Sequence, residues 1–401
     1  MTTLTIGILR EEKEHPDKRV PLPPSICADL IYTYPTIKIV VQPSKIRCYS
    51  DQEYINFGIP LKDDLNDCDI LMAVKEVPVN KLINNKKYFF FSHTIKKQPH
   101  NKALMQALIE KKITLIDYET LTDKNHNRII GFGRYAGIVG AYNALLGYGR
   151  KYNLFTLKPA NACKDRAEMD KELGHVKLPN IKIVLTGGGR VANGVIETLS
   201  ALRIRKVTSE EFLMSTFREP VYCQLNPKDY VERISDHNFD VKDFYTHPEH
   251  FKSTFKPYTQ KADIYIAAHY WDARSPRMFE IKDLLDTTFN ISVIADISCD
   301  IDGSVPTTIR SSSIEDPFYG YNIKKNKEDI PFSKDTICIM AVDNLPCELP
   351  RDASDGFGKD LLERVIPNLI TDNDKVIERA TICANGKLKA AFNYLIDYAY
   401  S

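Results

Sequence analysis

The stretch Ile181-Lys-Ile-Val-Leu-Thr-Gly-Gly-Gly-Arg-Val-Ala-Asn-Gly-Val195 decides the fold. A short apolar run breaks into three glycines and restarts with apolar residues at Val191, Val195, Leu199 and Leu202, which is helical spacing. Strand, tight turn and helix in that order are the context a phosphate-cradling motif requires. Gly187 can take the backbone angles of a sharp strand-to-helix turn, Gly189 lets the main chain approach phosphate oxygens, and Ala192 fills the small slot where helix meets strand. A pyrophosphate there would sit at a helix N-terminus, where free N–H groups and the dipole favour an anion. Gly187, Gly189, Arg190 and Val191 are thus candidates for dinucleotide binding, although glycine clusters also make ordinary turns between strand and helix.

Composition narrows the choice. At 401 residues, 43% hydrophobic and 27% charged, the chain can build two or three domains with proper cores. The 54 Lys+Arg against 53 Asp+Glu leave almost no net charge, so global electrostatics favours neither nucleic acid nor an anionic membrane, and the expected partner is a small molecule. Nine cysteines lie scattered with no CxxC pair, which argues for reduced thiols in a cytoplasmic protein and against both a disulfide framework and a structural metal site. The start of the chain enters a strand pattern with no basic-then-apolar leader. No apolar run approaches the roughly twenty residues that span a bilayer.

Upstream of the glycines, strand patterns recur at Thr3–Leu9, Lys38–Gln42, Asp69–Glu76, Tyr88–His93 and Ile113–Tyr118 with helical stretches between them, which predicts a parallel α/β sheet. Ligands bind such sheets off the carboxyl ends of the strands. Three polar clusters fall there: Lys75-Glu76, His93 with Lys96, and Asp117 with Glu119. Any one of them could be a solvated strand end, but their repetition at one edge points to a site. Gly137, Gly140, Ala141 and Ala144 share a helix face and allow close packing, and this helix is taken as the bridge between domains. The expected architecture is two Rossmann-like α/β domains with parallel sheets and an interdomain cleft, residues 1–133 with 345–401 on the substrate side and 134–344 holding the dinucleotide.

Downstream, the next strand is expected at Arg205–Thr208, followed by Glu210 and Glu211 roughly twenty residues after the glycines, where an acid meets the adenosine ribose. Glu210 would favour NAD, while Arg203, Arg205 and Lys206 leave NADP open. The segment from Phe212 to Pro257 is aromatic-rich and unassigned. Strand patterns return at Asp263–Ala268 and Ser292–Ile297, with His269, Asp272, Asp296 and Asp300 at their ends framing the nicotinamide half of the site. The apolar run from Thr336 ends in Asp343.

Several runs together resemble the NAD-dependent, lysine-forming saccharopine dehydrogenases, relatives of alanine dehydrogenase and the transhydrogenase NAD-binding subunit. The carriers are Leu9-Arg-Glu-Glu with Lys18-Arg-Val-Pro-Leu-Pro-Pro24, Val74-Lys-Glu-Val-Pro78, Phe91-Ser-His-Thr-Ile-Lys96, Leu115-Ile-Asp-Tyr-Glu119, Arg128 before Phe132-Gly-Arg-Tyr-Ala-Gly-Ile-Val-Gly-Ala141, and Val342-Asp-Asn-Leu-Pro-Cys-Glu-Leu-Pro-Arg-Asp-Ala-Ser354. The resemblance implies an acid–base pair in Lys75 and His93, tuned by Glu76 and Glu119. It further implies carboxylate anchors in Arg19 and Arg128, Lys96 and Asp343 as a pair, and a cofactor contact through Asp343. It departs at Val191, where the family tends to keep a cysteine. The implied reaction is the NAD-dependent cleavage of saccharopine to lysine and 2-oxoglutarate, or its reverse. Alternatives are alanine dehydrogenase or another opine-type amino-acid dehydrogenase, and a non-catalytic NAD-binding protein.

Overall fold

A computed structural model describes residues 3–13 and 17–401. The chain forms two compact units, Met1–Phe132 with Pro350–Ser401, and Gly133–Leu349. Each is a mixed α/β body around a mostly parallel sheet.

In the first unit the strands are β1 (Leu4–Ile8), β2 (Ile37–Val41), β3 (Ile70–Met72), β4 (Lys87–Phe90) and β5 (Thr114–Asp117). All five run parallel in the spatial order β5-β4-β3-β1-β2, and two C-terminal strands, Thr381–Ala384 and Lys387–Leu388, extend the β5 edge in antiparallel fashion. Helices α1 (Pro24–Thr33), α2 (Asp51–Asn56) and α3 (Lys102–Glu110) fill the connections. Helix α1 opens on a proline, whose fixed φ suits a first helical position, and α2 is held by a reciprocal Ser50–Glu53 capping box. Because β1 leads to β2 on one side and β3 on the other, the sheet reverses direction at β1, and the carboxyl ends of β1 and β3 flank a topological switch point.

The second unit opens with the long helix α4 (Gly133–Tyr152) and the short α5 (Arg166–Glu172). Its sheet contains β6 (Lys182–Thr186), β7 (Arg205–Val207), β8 (Val221–Leu225), β11 (Ile264–Ala267), β12 (Val293–Asp296), β13 (Phe318–Asn322), β14 (Lys327–Asp329) and β15 (Thr336–Met340); a separate ribbon pairs β9 (Val231–Arg233) with β10 (Phe251–Ser253). The order is β14-β13-β15-β12-β11-β6-β8-β7, parallel from β15 to β7. Alternate residues feed two cores: Ile183 and Leu185 face the α4 side with Val195 and Leu199, while Val184 faces Phe212, Phe255 and Tyr265. Helices α6 (Arg190–Ala201) and α7 (Ser209–Met214) follow β6 and β7.

The small-residue face of α4 meets α6. A Cβ on Gly137 would stand 1.8 Å from the Val191 carbonyl oxygen, and one on Gly194 1.9 Å from that of Arg134. The two backbones cross at a distance that only glycine permits.

Sheet order corrects one expectation. The strand beside β6 is β8, from the segment left unassigned, and β7 lies at the sheet edge. Chain order places β7 next, but the sheet inserts β8 between them.

Candidate active site

The carboxyl edge of the first unit gathers charge. Glu11, just beyond β1, is buried and accepts the main-chain N–H groups of Val74 (2.6 Å) and Lys75 (3.0 Å), so it clamps the end of β3 to the end of β1. Burial first, then the neighbouring Asp17, push its carboxyl up to about 8, against the pull of those two N–H groups and Arg19. Nothing in the sequence pattern singles out Glu11 beyond its place in a charged loop.

Glu76 joins the site through its neighbours: its Oε1 accepts from His93 Nδ1 at 2.6 Å and its Oε2 from Lys13 Nζ at 2.9 Å. Burial works to raise this carboxyl, but the bonds from His93 and Lys13 outweigh it and hold it at about 2, so Glu76 is ionised throughout the physiological range. His93 sits in the left-handed region with φ 52°, a conformation that costs a non-glycine residue energy and recurs at functional sites. Lys75 and Glu76 line a small cavity of about 110 Å³ at the switch point, beside a wider hollow of about 580 Å³ bounded by Arg10, Glu12, Lys13 and Lys45.

Other sequence candidates fall around this edge with different partners. Arg19 is buried rather than solvated, its guanidinium gripping Asp17 through Nε (2.9 Å) and a terminal nitrogen (2.6 Å) and lying 4.1 Å from the centre of the Phe132 ring. Arg128 is exposed and stands 5.4 Å from the Phe91 ring centre. Lys96 lies 3.2 Å from Glu119 Oε1, so within this unit the partner of Lys96 is Glu119, and Glu119 meets Lys96 rather than Lys75 or His93. The second oxygen of Glu119 is buried with no hydrogen-bond partner among the described residues. Asp117 is buried at the base, accepting the Ser92 N–H (2.9 Å) and hydroxyl (2.5 Å) and the Glu119 N–H (2.7 Å), which fixes the start of the His93 loop.

In the second unit, β6 leads to β8 on one side and β11 on the other, so the switch point lies at the glycines. A groove of about 610 Å³ opens there, lined by Gly187 to Val191, by Asn226, Pro227 and Tyr230, by Tyr245, and by Ala268 to Tyr270. Gly187 has φ +116°, and a Cβ on it would stand 2.4 Å from the Ala268 carbonyl oxygen. A Cβ on Gly189 would point into open space, so the main chain at the N-terminus of α6 stays accessible to a ligand. This geometry fits a dinucleotide's phosphates.

The two acidic cofactor candidates stand at different strand ends. Glu210 is exposed on α7, beyond the edge strand β7; the position next to β6 is the end of β8, occupied by Asn226. Glu211, the other candidate, is spent on the capping box of α7 with Thr208. Asp343 is exposed past the end of β15, three strands from β6, and is not among the groove residues. Of the other strand-end acids, Asp296 is buried and bonded to Ser298 and Thr308 (2.7 Å each), a structural role, and Asp272 is paired with Arg274. Among the described residues one trio could surround a metal ion, the exposed His247, Glu249 and His250, but Arg274 lies 3.5 Å from Glu249 and competes for that carboxylate.

Two Rossmann-like units, one with charged strand ends and one with a glycine turn at its switch point, define the class: a two-unit α/β protein with a nucleotide-type groove. Residues 7–139 match the family model described as alanine dehydrogenase/PNT, N-terminal domain. The chain is 30% identical over 97% of its length to the alpha-aminoadipic semialdehyde synthase of Arabidopsis thaliana, of which it covers 41%, and 27% identical to the mitochondrial protein of that name from Rattus norvegicus, of which it covers 47%. It thus spans less than half the length of these relatives. The saccharopine dehydrogenase [NAD(+), L-lysine-forming] of Emericella nidulans is 23% identical, with 95% of this chain covering 96% of that one. Among solved structures an L-alanine dehydrogenase superposes with a TM-score of 0.65 at 16% identity, covering 99% of this chain and all of the other, which shows the shared fold. No helix of the described residues is long and apolar enough to cross a membrane.

Proposed function

We propose that the protein is a nicotinamide-dinucleotide-dependent amino-acid dehydrogenase that interconverts saccharopine with lysine and 2-oxoglutarate. The observation that carries this reading is the meeting of Lys75, Glu76 and His93 at the carboxyl edge of the first unit, with His93 Nδ1 2.6 Å from Glu76 Oε1. It is supported by the similarity to enzymes named for that reaction.

The ionised Glu76 accepts from His93 Nδ1–H, which leaves the lone pair of a neutral ring on Nε2. His93 can therefore take a proton from water as it attacks an imine carbon and return it to the leaving amine. Lys75, whose main chain is held by Glu11, lines the cavity beside Glu76 and can exchange a proton with the substrate's secondary amine. Arg128 and Arg19 are the guanidinium groups for substrate carboxylates, and planar guanidinium binds carboxylate through two parallel bonds. A bound nicotinamide supplies the hydride acceptor or donor. Gly187, Gly189 and the first residues of α6 would hold the phosphates of that cofactor and Asn226 would face its adenosine ribose. An amide at that position neither demands a free 2′-hydroxyl nor repels a 2′-phosphate, so NAD and NADP are both accommodated.

The test is to monitor oxidation of NADH and of NADPH with 2-oxoglutarate plus lysine, ornithine, alanine or ammonia, and with pyruvate plus ammonia. Turnover with lysine is expected; turnover with ammonia and pyruvate but none with lysine sinks the reading in favour of an alanine dehydrogenase.

A further inference from the structure

His269 stands at the end of β11, in the wall of the glycine groove, and is only 8% exposed. Its Nδ1 lies 2.7 Å from the Thr186 hydroxyl, which lies 3.1 Å from the hydroxyl of the buried Tyr265. Its Nε2 is buried with no partner among the described residues. A buried, unsatisfied ring nitrogen is costly, about 1–3 kcal/mol, and such a group persists where a ligand satisfies it.

The hydrogen-bond chain fixes which nitrogen carries the proton. If His269 Nδ1–H donated to Thr186 and Thr186 to Tyr265, the Tyr265 proton would have no acceptor among the described residues. With Tyr265 donating to Thr186 and Thr186 to Nδ1, both hydroxyl protons are used and Nε2 bears the hydrogen, leaving that N–H alone in the chain without a partner among the described residues. Burial pushes this imidazole down to about 4, so the ring is neutral at physiological pH and offers Nε2–H as an uncharged donor. The surroundings call for an oxygen acceptor on an anionic ligand: Gly187 packs against the Ala268 carbonyl, and the N-terminal end of α6 opens into the same groove. The opposite wall comes from the segment after β8, through Pro227, Tyr230 and Tyr245, with the Tyr230 ring centre 5.8 Å from that of His269. This gives the aromatic-rich segment a role.

We propose that His269 is a dinucleotide-binding residue whose Nε2–H donates to an oxygen of the cofactor's ADP-ribose portion, with Tyr265 and Thr186 setting its tautomer. The inference rests on the dehydrogenase reading for the identity of the ligand, but its test does not require turnover.

Calorimetric titration of the full chain with ADP-ribose, and separately with NADH and NADPH, compares wild type with His269→Phe, His269→Gln and Thr186→Val. His269→Phe keeps a ring in the wall but removes the donor, and ADP-ribose should bind about ten- to a hundredfold more weakly. His269→Gln, whose amide can donate, should recover most of that loss. In steady state the cofactor KM should rise more than kcat falls. Unchanged ADP-ribose affinity in a folded His269→Phe protein overturns the proposal. Should that variant not fold, Thr186→Val decides in its place, and affinity equal to wild type there overturns it as well. A wild-type chain that binds no ADP-ribose, NADH or NADPH overturns both this inference and the dehydrogenase reading. Binding without lysine turnover overturns only the substrate assignment.

Discussion

The two carboxyl edges solve opposite problems. At the first, charged side chains are matched to each other: His93 to Glu76, Lys13 to Glu76, Lys96 to Glu119, Arg19 to Asp17. At the second, the groove is made of glycine main chain, one amide, a neutral imidazole and tyrosines, with Arg190 the only ionised side chain among its lining residues. Acid–base chemistry and carboxylate recognition need charges held at tuned pKa values, whereas a dinucleotide already carries charge and needs oriented N–H groups and space. A site of the first kind depends on which side chains end the strands. A site of the second kind depends on which strands are neighbours.

The sharpest way to break this contrast is to remove the proposed proton carriers of the first edge. His93→Ala and Lys75→Met should each lower turnover by about a hundredfold to ten-thousandfold, the range general acid–base groups contribute. NADH affinity, measured by fluorescence titration, should stay within about twofold of wild type, because neither residue lines the glycine groove. A parallel loss of NADH affinity would show that the two edges are not separable.

The second edge is broken through the backbone. Gly137→Ala would place a methyl 1.8 Å from the Val191 carbonyl oxygen, at the α4–α6 crossing beside the start of α6. It should destabilise the protein by about 2–3 kcal/mol in urea denaturation and weaken dinucleotide binding. Gly174→Ala, where a Cβ meets nothing within 4 Å, is the matched control and should change stability by less than about 0.5 kcal/mol.

What the sequence showed follows the same division. Lys75, Glu76 and His93 could be read because a charged residue ending an apolar strand has one direction to point, and parallel strands put those ends together. The α4 face of small residues and the β6 turn were legible for a similar reason, since each is set by spacing within one element. Glu210 stands beyond the edge strand rather than at the end of the strand beside β6, because neighbours in the sheet do not follow chain order. Val221-Tyr-Cys-Gln-Leu225 is a short apolar run after Pro220, and it could have been marked as a strand. No local pattern shows that it slides between β6 and β7. The pairing of Lys96 with Glu119 is likewise a tertiary fact, as is the burial of Arg19 against Asp17 in a stretch that reads as a solvated loop.

A smaller effect sharpens the comparison within the first edge. Glu76→Gln keeps the shape and an acceptor but removes the negative charge facing His93. Turnover should fall by about ten- to a hundredfold and the acid limb of the pH–rate profile should move, with the substrate KM changing less than kcat. A pH profile that superimposes on wild type would reduce Glu76 to a structural group.

The smallest effect lies in the pH dependence of stability, where the two carboxyls of the first edge act with opposite sign. Glu76, held at about 2 against an ordinary value near 4.5, contributes stability above pH 4.5 that is lost as pH falls toward 2. Glu11, pushed up to about 8 by burial and by Asp17, contributes stability that is fully present below pH 4.5 and is lost as pH rises through 8. The first unit should therefore be most stable near pH 5, where Glu76 is ionised and Glu11 is still protonated. Glu11→Gln keeps one acceptor for the Val74 and Lys75 N–H groups and has no proton to lose, so it should flatten the decline between pH 5 and 8. The expected change in slope amounts to on the order of 1 kcal/mol over that interval, discounted for Arg19 and the two N–H groups, which already stabilise the charged form. Thermal melts of wild type and Glu11→Gln at pH 5, 6.5 and 8 measure it. Parallel curves would mean that Glu11 is ionised across the range, and the clamp joining β1 to β3 would then be a charged one.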